Sequence, residues 1–214
     1  MNTFEFPRSI RSVMCLGAHP DDIEIGAGAT LALLAERNPD AIFHLATLTG
    51  SAERVLEAKK SALALFGKRG ELAVAGFADG FLPYESPAEA KRFVRSAIPV
   101  GGVDVVFAPQ PSDLHQDHRF LGEISRQLFR DEVILEYEIA AFDGGLVSPN
   151  VYVPISQSGA KAKVAHLLES FPSQTGKGWF SGDAFMALMR LRGIESNALE
   201  GFAEAFTSSK IVLS

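Results

Sequence analysis

Short apolar runs alternate with longer stretches of helical spacing along the first two thirds of the chain. Residues 12–17 (S-V-M-C-L-G) are apolar without strict alternation, the pattern of a strand buried on both faces. Residues 23–37 then carry helical periodicity and end at Asn38-Pro39. A second strand is predicted over 41–47 and a helix over 51–66, with Ser51 as N-cap and Gly67 as the stop. The series continues with a strand at 71–75 and a helix at 86–98 that opens on Ser86-Pro87. A strand at 103–108, a helix at 116–130 and a strand at 133–137 follow. This order predicts an α/β fold, a Rossmann-like three-layer sandwich with a mostly parallel sheet.

Beyond about residue 140 the rhythm breaks. A strand at 151–155, helices at 158–170 and 182–193 and an edge strand at 210–213 are predicted, in a segment that shapes or covers one side of the site. No repeat or linker interrupts the chain, and 214 residues read as one domain over 1–214. In such sheets ligands bind beyond the carboxyl ends of the strands. The segments that follow strands are therefore the ones to inspect for chemistry.

Two of them concentrate chemistry. Ala18-His19-Pro20-Asp21-Asp22 follows the first strand and places an imidazole and two carboxylates within four residues. His19 and Asp22 are three apart, so one turn can aim both at a common point, a donor pair suited to zinc or another divalent transition ion. Asp21 is then left as a general base. The competing reading is a helix N-cap in which both aspartates satisfy free N–H groups. The second segment, His115-Gln116-Asp117-His118, comes after the strand at 103–108. One of its histidines completes a set of two imidazoles and one carboxylate with a coordination position open for water. The other can act as acid or as oxyanion donor, with Asp117 fixing an imidazole tautomer. The competing reading here is a solvated polar loop.

Composition narrows the alternatives. The formal charge of −6 offers no basic footprint for nucleic acid. A single cysteine, Cys15, rules out an intrachain disulfide and a cysteine-rich zinc site, and a cytoplasmic location is expected. No run of about 18 apolar residues is long enough to span a membrane, and residues 1–11 do not read as a secretory signal. Cys15 and His44 fall in apolar strands and are predicted to be core. His166 is predicted on a helix surface, and Trp179 is predicted as a core anchor.

The strand followed by Ala18-His19-Pro20-Asp21-Asp22-Ile23-Glu24-Ile25-Gly26, with His115-x-Asp117-His118 later, resembles the PIG-L/LmbE-like N-acetylglucosaminyl deacetylases. Supporting likenesses are Arg54, Glu57 and Ala58, then Phe77-Ala78-Asp79-Gly80, Leu135-Glu136-Tyr137-Glu138, Phe171-Pro172-Ser173-Gln174 and Ala203-Glu204-Ala205-Phe206. The resemblance implies a zinc-dependent hydrolase of N-acetylated amino sugars or glycoconjugates. His19, Asp22 and His118 would be the zinc ligands and Asp21 the base. His115 would stabilise the oxyanion or protonate the amine, Asp117 would orient His115, and Asp79 would contact the sugar. Two departures stand out: Gly28-Ala29-Thr30 where many members carry a doubled glycine, and Thr49-Gly50-Ser51-Ala52-Glu53 where many carry Arg-Gly-Glu. The alternatives are a metal-dependent phosphoesterase with two ions and a non-catalytic sugar-binding protein.

Overall fold

The computed structural model describes residues 9–85 and 87–212. Seven strands form one sheet in the order β3-β2-β1-β4-β5-β7-β6. They are β1 Ser12–Gly17, β2 Ile42–Thr49, β3 Gly70–Phe77, β4 Val105–Pro109, β5 Val133–Tyr137, β6 Val151–Ile155 and β7 Phe202–Thr207. The first five run parallel, and β7 lies antiparallel to both β5 and β6. The helices are α1 Asp22–Arg37, α2 Ala52–Phe66, α3 Leu82–Glu85, α4 Pro87–Ala97, α5 Gln116–Leu128, α6 Gln157–Ser170 and α7 Gly182–Glu195. The mostly parallel sandwich predicted from the alternation of strands and helices is the fold observed.

Two apolar clusters, one on each face, hold the layers together. Phe43, Phe107, Tyr137, Phe171 and Phe206 belong to one; Met14, Leu16, Val94, Val106 and Leu121 belong to the other. Alternate residues of β1 enter opposite clusters, Val13 and Cys15 one and Met14 and Leu16 the other. That two-sided burial explains the run of apolar residues without alternation. Gly26 lets α1 approach the sheet, because a Cβ there would lie 2.2 Å from the Tyr137 ring. The Tyr137 hydroxyl donates to the Leu16 carbonyl, which ties β5 to β1.

Several local signals act as read. Ser51 accepts from the Arg54 N–H as the α2 cap, and Gly67 ends that helix at φ +59°, a value that favours glycine. Cys15 is fully buried, and Trp179 packs edge-to-face on Phe180 at the core margin. Ser86, the expected cap of α4, lies outside the described residues, as does Leu213.

The carboxyl-terminal expectations need correction. Residues 210–212 are not strand, and the last strand is β7, inserted between β5 and β6. Glu204 in the middle of β7 masks its apolar character, and the reason for that charge lies elsewhere in the fold. His166 is half-buried rather than free on the surface, its Nε2 2.8 Å from Ser61 Oγ. His44 is only partly covered and pairs with Glu71 at 3.0 Å. No helix among the described residues is long and apolar enough to cross a membrane.

Candidate active site

β1 and β4 are neighbours in the sheet, yet the chain leaves them toward opposite sides, β1 toward β2 and β4 toward β5. That reversal of strand order opens a crevice at their carboxyl ends. The loops after these two strands carry His19-Pro20-Asp21-Asp22 and Asp113-Leu114-His115-Gln116-Asp117-His118, and both converge on it.

Three donor atoms meet there. His19 Nδ1 lies 3.1 Å from His118 Nε2 and 3.5 Å from Asp22 Oδ2, and His118 Nε2 lies 3.3 Å from Asp22 Oδ2. A tetrahedral ion with bonds of about 2.0–2.1 Å holds its donors about 3.3 Å apart. The triangle therefore fits a divalent transition ion, and its donors, two imidazoles and a carboxylate, suit zinc chemically. All three residues are at least nine-tenths buried. His115 stands beside them, within 4.8 Å of the two imidazoles in the same group of potential ligands.

The aspartates are not spent on capping α1. Asp21 occupies the N-cap position without a side-chain cap bond, and Asp22 Oδ2 accepts from the His19 N–H at 2.8 Å. Asp21 Oδ1 accepts from Arg54 Nη2, while its Oδ2 is buried with no partner. Burial pushes the Asp21 pKa upward; Arg54 pulls it down and Asp22 adds to the rise. Burial opposes charge on Asp22 too, but His118 and His19 hold it well below the usual carboxylate range. Burial likewise lowers the pKa of His118, yet the Asp22 and Asp113 carboxylates raise it to about 9.

The groups behind the donors are well defined. Asp113 Oδ2 lies 3.2 Å from His118 Nδ1, and its Oδ1 accepts from the His115 N–H at 2.8 Å. One buried carboxylate thus sets both the ring of His118 and the loop that carries His115. Sequence reasoning passed over Asp113 as part of a loop, although its place five residues before His118 was the available signal. His19 directs its Nε2 to Asp79 Oδ1 at 2.9 Å and stands 3.5 Å from Asp117 Oδ2. The hydrogen bond to His19 pulls the exposed Asp79 carboxyl down to about 2.

Asp117 lies elsewhere than expected. Its carboxylate accepts from the N–H groups of Gly80 and Leu82, at 2.7 and 3.3 Å, and so ties the loop after β3 to α5. What meets His115 is the Asp117 main chain: its N–H donates to His115 Nδ1 at 3.2 Å. With Nδ1 accepting, neutral His115 carries its proton on Nε2. Burial, His118 and His19 lower its pKa and so favour that neutral form. This polar segment is no solvated loop, since Asp117 and His118 are buried.

A profile of the family described as PIG-L, GlcNAc-PI de-N-acetylase, matches residues 14–129, more than half of the chain. No curated protein matches the chain. Among solved structures, the fold is similar to N,N'-diacetylchitobiose deacetylase from Pyrococcus horikoshii: TM-score 0.74, 20% identity, 93% of this chain and 84% of that one covered. A conserved protein from Thermus thermophilus aligns at TM-score 0.71 and 25% identity, over 94% of this chain and 96% of that one. The 4-carboxy-2-hydroxymuconate hydratase GalB from Pseudomonas putida aligns at TM-score 0.67 and 15% identity, over 96% and 98%. The fold is thus shared with an enzyme of different chemistry, so function lies in the site and not in the fold. With the profile spanning both site loops, the chain belongs to the PIG-L family.

Proposed function

We propose that this protein hydrolyses the acetamido group of an N-acetylated amino sugar or glycoconjugate, releasing acetate and the free amine. The observation that carries the reading is the triangle of His19 Nδ1, Asp22 Oδ2 and His118 Nε2 beside the unpartnered Asp21 Oδ2. His19, Asp22 and His118 would hold a divalent ion, zinc by the chemistry of the donors. Such an ion, when bound, lowers the pKa of a water toward about 7 and polarises an acyl oxygen.

The residues of the chain supply the proton handling. Asp21 takes the proton of the attacking water; Arg54 holds its Oδ1 and leaves Oδ2 available. The Nε2–H of His115 donates to the oxyanion that develops on the former carbonyl, a donor of a kind worth about 3–4 kcal/mol when well placed. The leaving amine then gains the proton that Asp21 took from the water, and no covalent intermediate is needed. Asp79, at the mouth of the site beside Arg54 and His19, is the residue we assign to the sugar hydroxyls.

Acetate release over a panel of N-acetylated sugars and glycosides, with zinc supplied and then with chelator, tests the reading. The expected result is acetate and amine in equal amounts, lost on chelation and restored by zinc, with one ion per chain. No release across the panel would overturn it. Two ions per chain together with phosphoester cleavage would favour the phosphoesterase, and sugar binding without turnover would favour the non-catalytic reading.

A further inference from the structure

A second concavity, of about 560 Å³, runs between α1 and α6 on a different side of α1 from the site described above. Asp22 and Glu24 are two residues apart on α1, about 200° around the helix. Asp22 faces the histidines, and Glu24 faces this groove. We propose that the groove binds a small organic amine with an apolar body, the amino group engaging Glu24.

The groove follows α1 from Glu24 toward Arg37, about 20 Å of helix. It exists because facing residues on the two helices are small: Gly28 and Ala32 on α1, Gly159 and Ala162 on α6. Leu33, Leu65 and Ile155 make its sides apolar. Its volume lies within the roughly 300–1,000 Å³ typical of small-molecule pockets, which combine apolar walls with a few placed polar groups.

The polar group at the deep end selects the ligand. Glu24 is 2% exposed and its Oε2 has no hydrogen-bond partner. A buried carboxylate oxygen left in that state is costly, and a donor that reaches it recovers the cost. The other oxygen is already held: Ser61 Oγ donates to Glu24 Oε1 and, at 2.8 Å, receives the His166 Nε2–H. Lys163, the cation that lines this end among the described residues, is committed to the Ile25 carbonyl and to Glu204, at 2.5 and 2.6 Å. The deep end therefore offers an acceptor while its cation is already engaged, which favours an ammonium over a carboxylate. A Cβ built on Gly28 would make only ordinary contacts with Glu24 Cβ and Lys163 Cγ, at 3.7 Å each, so the wall of the groove is open beside the stems of both side chains.

Isothermal titration of the purified chain tests this with 2-phenylethylamine and two analogues of the same shape, 2-phenylethanol and 3-phenylpropanoate. The expected result is saturable 1:1 binding of the amine, with the alcohol and the acid at least tenfold weaker. Glu24→Gln should weaken the amine at least tenfold. Ala32→Trp and Ala162→Trp fill the groove from opposite walls, so at least one should fold, as shown by a native thermal transition. A folded tryptophan variant should lose binding. The proposal is overturned if the amine does not saturate at millimolar concentration, if the acid binds as tightly, or if folded tryptophan variants bind unchanged. None of these readouts depends on acetate release.

Discussion

Arg54 of α2 donates through Nη2 to Oδ1 of Asp21, one residue ahead of α1, and leaves Oδ2 of that aspartate buried without a partner. A guanidinium thus fixes the carboxylate and sets how readily it takes a proton. Asp21→Asn keeps the shape and removes the base. The expected outcome is zinc content close to one per chain with kcat reduced by about 10²–10⁴, read by metal analysis and acetate release. Undiminished turnover would exclude Asp21 as the base.

The same pair predicts a pH effect. Asp21 acts as a base only when ionised, and its pKa is raised by burial but pulled down by Arg54. Removing the cation raises that pKa further, so in Arg54→Ala the acid limb of the kcat/KM profile should move to higher pH. Arg54→Lys should move it less, since a charge remains. A shift toward lower pH, or none in Arg54→Ala, would detach Arg54 from this role.

His115 gives a different signature. Its Nδ1 is occupied by the Asp117 N–H, which leaves Nε2–H as the donor. His115→Ala should lower kcat by about 10²–10³, the usual cost of one oxyanion donor, with little change in metal content. An effect confined to KM would instead make it a substrate contact. Gln116, next in sequence, donates to the Gly80 carbonyl and serves as the neighbouring control.

Asp113 tests the support beneath the ligands. It meets both His118 Nδ1 and the His115 N–H. Asp113→Asn should weaken metal affinity by about 10–100-fold, the usual range for such outer partners, while the unfolding transition is kept. Competition with a chromogenic chelator reads the affinity directly, whether or not the enzyme turns over. An unchanged affinity would mean that His118 needs no orientation from this carboxylate.

The sequence exposed the two loops that converge on the site because each packs imidazoles and carboxylates within a few residues after an apolar strand. It also exposed the first five strands: β1 and β4 are buried on both faces and read as apolar runs, whereas the edge strand β3 is only partly covered and reads as a strand from its place in the alternation. Asp113 stayed hidden because an aspartate in a Pro-rich loop reads equally well as a turn former. β7 stayed hidden because Phe202–Thr207 carries Glu204 at its centre. The residue that makes this glutamate tolerable, Lys163, lies 41 positions away on α6. α3 is a four-residue turn whose first N–H, that of Leu82, is held by the Asp117 carboxylate from another element. For β7 and α3 the deciding partner is remote in sequence, where periodicity and spacing carry no information.

Lys163 and Glu204 also anchor α1. The Lys163 ammonium donates to the Ile25 carbonyl, and Glu204 accepts from the N–H groups of Ala29 and Thr30 at 2.9 and 2.6 Å. Ile25 C=O and Ala29 N–H are acceptor and donor of one helical step, so an ion pair from α6 and β7 engages α1 one turn beyond Asp22. Both side chains are buried. Removing one member leaves the other charged and unpaired, which typically costs about 3–5 kcal/mol. Lys163→Met should therefore lower the stability measured by urea unfolding by that amount. In the double variant Lys163→Met with Glu204→Gln no buried charge remains, and much of the loss should return. A double variant as unstable as the sum of its two single changes would show that the residues act independently and that α1 is held in place by its apolar face alone.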